Sequence, residues 1–167
     1  MDDKKLSEHF SLSDLTRTDH AEFQEENRKV AAEELAKLVR LALLLEECRT
    51  LVGGELDIHS GRRCLALNKR VGGSEKSQHV KCEAADISPR GPDSEESVAD
   101  AWQKLATAAR KKKLKFGQLI FESASEGREG RKFWVHISLG APYRDAARCG
   151  EVLTMKDGKY TTISQIS

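Results

Sequence analysis

SQHVKCEAADI, at residues 77–87, is the stretch from which the fold of this chain is best interpreted, and FWVHISL at residues 133–139 is its counterpart. The first stretch carries His79 and Asp86, and the second carries His136. Two imidazoles and one carboxylate can hold a zinc ion and leave its fourth position open, as in catalytic zinc sites. The sequence therefore predicts a zinc site, provided that the two stretches meet in the fold.

The composition fits a domain of ordinary size with nearly balanced charge. The chain has 167 residues, with 28 basic against 27 acidic side chains and a formal net charge of +1. This balance argues against a dedicated nucleic-acid binder, which normally shows a strong basic excess. The basic run at residues 110–113 falls at a predicted helix C-terminus, where cations complement the helix dipole. Attraction of the same charges to an anionic cell-wall polymer stays an alternative.

Neither a membrane span nor an export signal is visible in the sequence. The longest apolar run, residues 41–45, is far too short to cross a bilayer. The N-terminus leads into polar sequence with no apolar h-region, so we expect cytoplasmic synthesis. The four cysteines, Cys48, Cys64, Cys82 and Cys149, contain no Cys-x-x-Cys pair, and we expect reduced thiols.

Helical patterns dominate the first part of the chain. Apolar residues recur at intervals of three and four from about Glu22 to Cys48, which predicts a helix ended by Gly53-Gly54. A short helix is predicted over residues 63–71. A third helix is predicted after Asp93, which forms a capping-box pattern with Glu96.

Strand patterns dominate the second part. Strands are predicted at residues 55–59, 84–87, 114–122 and 132–139, with a hairpin between the last two. Asp157-Gly158 predicts a second hairpin near the C-terminus. This order of elements predicts an α+β fold in which helices pack on a small antiparallel β-sheet.

Five strings together resemble one family, the zinc D-Ala-D-Ala carboxypeptidases and their phage endolysin relatives, which share a fold with hedgehog signalling domains. The resemblance runs from about residue 6 to residue 160. A single His-x6-Asp spacing would be a weak signal, whereas five strings in the family's order are a specific one. The strings are EHFSLSDLTRT at 8–18, IHSGRRCLALN at 58–68, VGGSEKSQHVKCEAADI at 71–87, FGQLIFE at 116–122 and FWVHISL at 133–139.

The resemblance implies roles for particular residues. It implies a zinc ion held by His79, Asp86 and His136. It implies that Arg63 contacts the substrate's peptide backbone or a carboxylate, while the neighbouring Arg62 is expected to face solvent. Ser77 and Gln78 match the polar pair before the family's first histidine and are predicted substrate-binding residues that can also orient the ligands, as can Ser138.

The chain departs from the family's pattern at two positions. Cys82 stands where many relatives carry glycine, and its thiol is expected to be a small buried group, with a metal-ligand or redox role as the alternative. Phe133 stands three residues before His136, where some relatives place an acidic general base. The base must therefore come from elsewhere or be absent.

Glu122 is the candidate general base, because it ends the strand predicted to pair with the strand of His136. Whether it faces His136 depends on the register of the hairpin, and an ordinary strand-end carboxylate is the alternative. Trp134 shares a strand face with His136, so it is predicted to line the substrate cleft rather than the core. Glu122 and Arg63 are thus the predicted catalytic residues.

The resemblance implies one zinc peptidase domain over residues 1–167, with an irregular segment at 1–21 and a C-terminal hairpin and tail at 148–167. The implied activity is hydrolysis of a peptide bond in the peptidoglycan stem peptide, by a D,D-carboxypeptidase or an endopeptidase. Without a visible export signal, the chain is expected to be a monomeric phage or prophage lytic protein, or part of a phage particle, that reaches the wall after release. A zinc-retaining, non-hydrolytic wall-binding or phage structural module is the alternative.

Overall fold

The computed structural model describes residues 3–91, 94–125, 127 and 130–165. Within these residues the chain forms an α+β fold with five α-helices and a six-stranded sheet, as the sequence predicts. No described helix combines the length and the apolar character that crossing a bilayer would take. The elements in chain order are α1 Leu12–Thr16, α2 Gln24–Arg28, α3 Ala32–Val52, β1 Leu56–Ser60, α4 Leu65–Arg70, β2 Ala84–Pro89, α5 Glu95–Arg110, β3 Gln118–Ser125, β4 Arg131–Ser138, β5 Glu151–Lys156 and β6 Lys159–Gln165.

The sheet has the strand order β1-β2-β4-β3-β5-β6. Both predicted hairpins, β3–β4 and β5–β6, are confirmed as antiparallel pairs. The sheet is mostly antiparallel, as predicted, and among the described strands β3 and β5 are the pair that runs parallel. The connection at residues 139–150 begins and ends at the same end of the strands, where β3 starts. Gly117 N donates to Ser138 O where the connection begins, and Gln118 pairs with Glu151 where it ends. The chain therefore enters β5 in the direction of β3.

The central strands separate an apolar face from a polar one. In β4, Val135 and Ile137 belong to the buried core, while His136 and Ser138 point to the opposite face. The long helices α3 and α5 pack against each other and cover the apolar face, where α5 contacts β2, β3 and β4. The opposite face carries the polar side chains that form the site.

The single helix predicted from Glu22 to Cys48 is wrong, because the structure has a 3-10 turn at Ala21–Phe23, then α2, then α3. The buried Asn27 explains why α2 stops. Its amide donates to the carbonyls of Thr16 and Arg62 and accepts from Cys64 N, which ties three distant segments together. Ala31 is extended, and its N–H donates to Glu34, so that a new helix begins at Ala32.

The N-cap of helix α5 lies one residue after the position that the sequence predicts. Ser94 is the N-cap, and its side chain accepts a hydrogen bond from Ser97 N at 3.1 Å. Asp93, the predicted capping residue, lies outside the described residues.

Candidate metal centre

The three predicted ligands converge at one point on the polar face of the sheet. Asp86 on β2 pairs with His136 on β4, and His79 approaches from the turn before β2. Asp86 Oδ1 lies 3.0 Å from His136 Nδ1 and 3.3 Å from His79 Nε2, and the two ring nitrogens are 3.3 Å apart. All three residues are buried, and their ligand atoms lie within 4.8 Å of one another. The two stretches therefore meet.

Each imidazole is oriented by a hydrogen bond on its outer nitrogen. His79 Nδ1 lies 2.8 Å from the carbonyl oxygen of Gly61, and His136 Nε2 lies 2.9 Å from Gln78 Oε1. Both partners are acceptors, so each outer nitrogen carries the proton. In the neutral rings, the inner nitrogens then present lone pairs to the Asp86 carboxylate. Such outer partners are typical of metal-ligating histidines, whose ring orientation they fix.

This donor set fits a divalent cation. When both rings are neutral and carry their proton on the outer nitrogen, the three inner atoms are acceptors at mutual distances of 3.0–3.3 Å that repel one another, and a cation at their centre satisfies all three. Two nitrogens and one carboxylate oxygen are a preferred zinc donor set. His79, Asp86 and His136 could thus hold the zinc ion that the sequence predicts, and their role as ligands stays a prediction.

The charge on Asp86 suits the same function. Burial raises the pKa of this carboxyl, but the positive charges that His79 and His136 carry when protonated lower it by more, and the net pKa lies below its usual range. A cation in the same place acts in the same direction. Asp86 is therefore a carboxylate at neutral pH, as a metal ligand must be.

Arg63 stands beside the three converging side chains and opens onto the cleft. Its Nη2 donates to Asp86 Oδ2 at 2.9 Å, and its Nε donates to Ser60 Oγ at 2.8 Å. Its Nη1 makes no hydrogen bond with any residue that the structure describes. The guanidinium is thus held on one edge and free on the other, where it can bind an oxygen of a ligand.

The expectation that Arg62 faces solvent is wrong, because this residue is buried. Its guanidinium donates to the carbonyls of Glu26 and Asn27 and to the carboxylate of Glu34. Gly61 lies directly before it, and a Cβ there would lie 2.4 Å from Leu15 O. The close packing of α1 on this turn directs one arginine inward and the next outward.

Glu122 lies on the same face as His136, one residue pair away. It pairs with Trp134, whereas His136 pairs with Ile120, so Glu122 and His136 are diagonal neighbours at about 7–8 Å by backbone spacing. Burial, and then the charge of Asp86, raise the pKa of Glu122 to about 7, although His136, Trp134 and Arg63 act in the opposite direction. A carboxyl with this pKa can exchange protons at neutral pH.

A cleft of about 900 Å³ surrounds the converging side chains. Ser77, Gln78 and Trp134, the other predicted substrate-binding residues, all line it, and their role in binding stays a prediction. The Gln78 side chain also contacts Ser138 Oγ at 3.1 Å, while Ser77 Oγ accepts from His79 N at 3.3 Å. Of the polar candidates for orienting the ligands, Gln78 is the one whose side chain contacts a ring.

Cys82 lies in the apolar core and is not one of the three converging side chains that could hold a metal ion. Its Sγ lies 3.7 Å from Glu34 Oε1, and burial raises the pKa of the thiol to about 12. The thiol is therefore protonated at neutral pH, as expected of a small buried group. The backbone at Cys82 has a φ of 60°, which is the left-handed region that favours glycine.

Sequence reasoning missed three groups that shape the site. Ser60 holds Arg63, the Gly61 carbonyl holds His79, and Tyr160 on β6 lines the cleft. The first two belong to the matching string at residues 58–68, which was a usable signal. Tyr160 gave no signal, because its proximity depends on the parallel pairing of β3 with β5.

Comparison with known proteins adds one finding. A family model described as Peptidase M15 matches residues 8–138, more than three quarters of the chain. The matched region includes all three converging side chains, Arg63 and Glu122. No curated protein matches the chain.

Proposed function

Because the chain belongs to the peptidase M15 family of zinc peptidases, we propose that it hydrolyses a peptide bond in the stem peptide of bacterial peptidoglycan. The observation that carries this proposal is the convergence of His79, Asp86 and His136 within 4.8 Å, with both outer ring nitrogens already hydrogen-bonded. When bound there, zinc would polarise the scissile carbonyl and make water a stronger nucleophile.

Glu122 takes the proton from the attacking water and delivers it to the leaving amine. The position of its carboxylate on the same sheet face as His136, and its raised pKa, support this role. Phe133 stands on β4 where some relatives carry an acidic general base. In this chain Glu122, on the neighbouring strand β3, supplies the carboxylate instead.

Arg63 binds an oxygen of the substrate, either a peptide carbonyl or a carboxylate. Its hydrogen bonds to Ser60 and Asp86 fix the guanidinium before the substrate arrives, so little conformational freedom is lost on binding. Trp134 lines the cleft beside Glu122, while Ser77 and Gln78 line it where Gln78 contacts His136. The cleft volume of about 900 Å³ lies in the range of ligand-binding clefts.

The biological setting that we propose is a monomeric phage or prophage lytic protein, made in the cytoplasm, that acts on the wall after release or as part of a phage particle. Cleavage of the terminal D-Ala by a D,D-carboxypeptidase, or of an internal bond by an endopeptidase, would use the same residues. The two activities differ in whether a free carboxylate lies next to the scissile bond, which is where Arg63 would distinguish them.

The decisive experiment incubates zinc-loaded protein with purified peptidoglycan and identifies the released fragments by mass spectrometry. We expect about one zinc per chain and new stem-peptide fragments, with release of free D-alanine indicating carboxypeptidase activity. The matched control is Glu122→Gln, which should keep the zinc and release no fragments. Bound zinc without fragments from the wild-type protein would contradict hydrolysis and favour a non-hydrolytic wall-binding or phage structural module, whereas failure to bind zinc would contradict the metal site itself.

A further inference from the structure

Tyr160 lines the same cleft as the converging side chains, although it comes from the last strand of the sheet. Glu122 pairs with Met155 on β5, and Met155 pairs with Tyr160 on β6. Trp134 pairs with Glu122 from the other side. Directly paired residues point to the same face of a sheet, so these side chains form one row across four strands, with Glu122 and Met155 between the indole and the phenol.

The phenol of Tyr160 is available to a ligand. The residue is 62% exposed, and its hydroxyl makes no hydrogen bond with any described part of the chain. The ring nonetheless lies close enough to the catalytic region for partial burial, and then the charges of Glu122 and Asp86, to raise the pKa of the phenol. The hydroxyl thus stays protonated at neutral pH and can donate a hydrogen bond.

The position of β6 relative to the family match gives this residue particular interest. The family model ends at residue 138, whereas Tyr160 belongs to the hairpin formed by β5 and β6. The hairpin extends the sheet beyond β3 and adds a wall on the Glu122 side of the cleft. A substrate that reaches Glu122 therefore meets a side chain from outside the matched region.

On the basis of the peptidase function proposed above, we infer that Tyr160 is a substrate-binding residue. Its ring covers the peptide on the Glu122 side of the scissile bond, and its hydroxyl donates a hydrogen bond to a carbonyl oxygen of that peptide. Trp134 contacts the same part of the peptide from the other side. The pair selects an extended peptide that is narrow enough to pass between two aromatic rings next to Glu122.

The test compares Tyr160→Phe and Tyr160→Ala with Ile163→Ala, a control on the same strand that is exposed but does not line the cleft. Each variant is assayed for KM and kcat on the shortest wall peptide that the wild-type protein cleaves. Loss of one hydrogen bond predicts a KM about 3–10-fold higher for Tyr160→Phe with kcat nearly unchanged. Tyr160→Ala should have a KM about tenfold higher than that of Tyr160→Phe. The KM of Ile163→Ala should equal the wild-type value, and all three variants should keep the wild-type zinc affinity and melting temperature.

Two results would overturn the inference alone: wild-type KM in both Tyr160 variants, or equal losses of melting temperature and activity in Tyr160→Ala and Ile163→Ala, which would indicate a structural role. A wild-type protein that binds zinc but cleaves no wall peptide would instead overturn the proposed function, and the inference with it. The wild-type assay therefore distinguishes the two failures.

Discussion

The two faces of the central strands β2, β4 and β3 differ in the kind of contact that their side chains make. On the face covered by α3 and α5, apolar side chains such as Val135 and Ile137 contact many neighbours, and no single contact is specific. On the cleft face, His136 has three polar contacts, each with one atom of a named residue: Asp86, His79 and Gln78. Adjacent residues of β4 thus alternate between the apolar core and the polar side chains of the cleft.

This difference separates what stabilises the fold from what makes it reactive. Apolar burial contributes roughly 25 cal/mol per Å² and tolerates exchange of one hydrophobic residue for another of similar size. The cleft face instead brings together the acceptor atoms of His79, Asp86 and His136. It also places the buried Glu122 carboxyl near the charge of Asp86, which raises the pKa of Glu122. Without a cation, these groups repel one another. We therefore expect changes on the first face to alter stability, and changes on the second to alter metal binding and turnover.

The largest contrast is expected between His136→Ala and Ile137→Ala. His136→Ala should reduce bound zinc from about one per chain to near zero and abolish hydrolysis, because only two ligands remain. Ile137→Ala should lower the free energy of unfolding by about 2–5 kcal/mol and leave zinc stoichiometry unchanged. Metal analysis and denaturant unfolding of both variants measure the difference. Loss of zinc from Ile137→Ala below its unfolding midpoint would break the separation of the two faces.

A smaller effect is expected when the Glu122 carboxylate is replaced and the three predicted metal ligands are kept. Glu122→Gln should lower kcat by about 10²–10⁴-fold, the usual contribution of a general base, while zinc affinity stays the same. Glu96→Gln, an exposed change on α5, is the matched control. Steady-state assays on wall peptides measure the effect, and wild-type turnover in Glu122→Gln would remove this residue from the mechanism.

The neighbouring arginines sharpen the comparison within a single turn. Arg63→Ala should lower kcat/KM by about 10–100-fold, as expected for a charge-assisted hydrogen bond to substrate, without a large change in melting temperature. Arg62→Ala should do the reverse and lower the free energy of unfolding by about 1–3 kcal/mol, because the buried carbonyls of Glu26 and Asn27 and the carboxylate of Glu34 each lose a hydrogen bond from Arg62. Kinetics and denaturant unfolding of the pair test this, and a reversed pattern would show that their roles are exchanged.

Gln78→Ala should weaken zinc binding by about 10–100-fold, since the outer nitrogen of His136 loses its acceptor. Ser138→Ala removes the partner of the Gln78 amide and the acceptor of Gln118 N but leaves Gln78 Oε1 on His136, so its effect on zinc affinity should be smaller. Competition with a chelator of known affinity measures both. Equal zinc affinities in wild type and Gln78→Ala would mean that packing alone orients the ring.

The smallest expected effect concerns pH and the stability of the metal-free protein. The pKa of Glu122 is raised from an ordinary 4.5 to about 7, so between these values the folded state holds a proton that the unfolded state has lost. Stability should therefore fall as pH rises from about 4.5 to 7, by about 1–3 kcal/mol. Glu122→Gln should lack this loss and be the more stable protein at pH 8. Denaturant unfolding at pH 5 and pH 8 would contradict this if both proteins changed equally.

Local patterns predicted much of the fold and the candidate site. The strings around His79, Asp86 and His136 led to a group that the structure brings together, and the alternation in β4 placed Trp134 on the cleft face. The first of these came from the resemblance of five strings to a family, whereas the second followed from the side-chain period of a strand, which can be read directly from the sequence. The α+β class followed in the same way from the order of helical and strand patterns.

Three features that the sequence did not predict depend on partners that are distant in sequence. The predicted long helix is interrupted at residues 29–31 because Asn27 bonds carbonyls in two other segments, which no helical periodicity records. Arg62 is buried because Glu26, Asn27 and Glu34 surround it. The parallel pairing of β3 with β5, and with it the position of Tyr160, depends on where a twelve-residue connection returns to the sheet.

The two imidazoles of the site differ in how far substitution can adjust them. The outer nitrogen of His79 bonds the main-chain oxygen of Gly61, where a Cβ would lie 2.4 Å from Leu15 O, so this partner cannot be changed by substitution without moving the backbone. The outer nitrogen of His136 bonds the side chain of Gln78, which substitution can change. A carboxylate at position 78 would make one imidazole more basic, and a hydrocarbon there would leave it unsupported, with the other imidazole unaffected. Engineering of metal preference in this scaffold should therefore begin at position 78, where one codon adjusts one ligand.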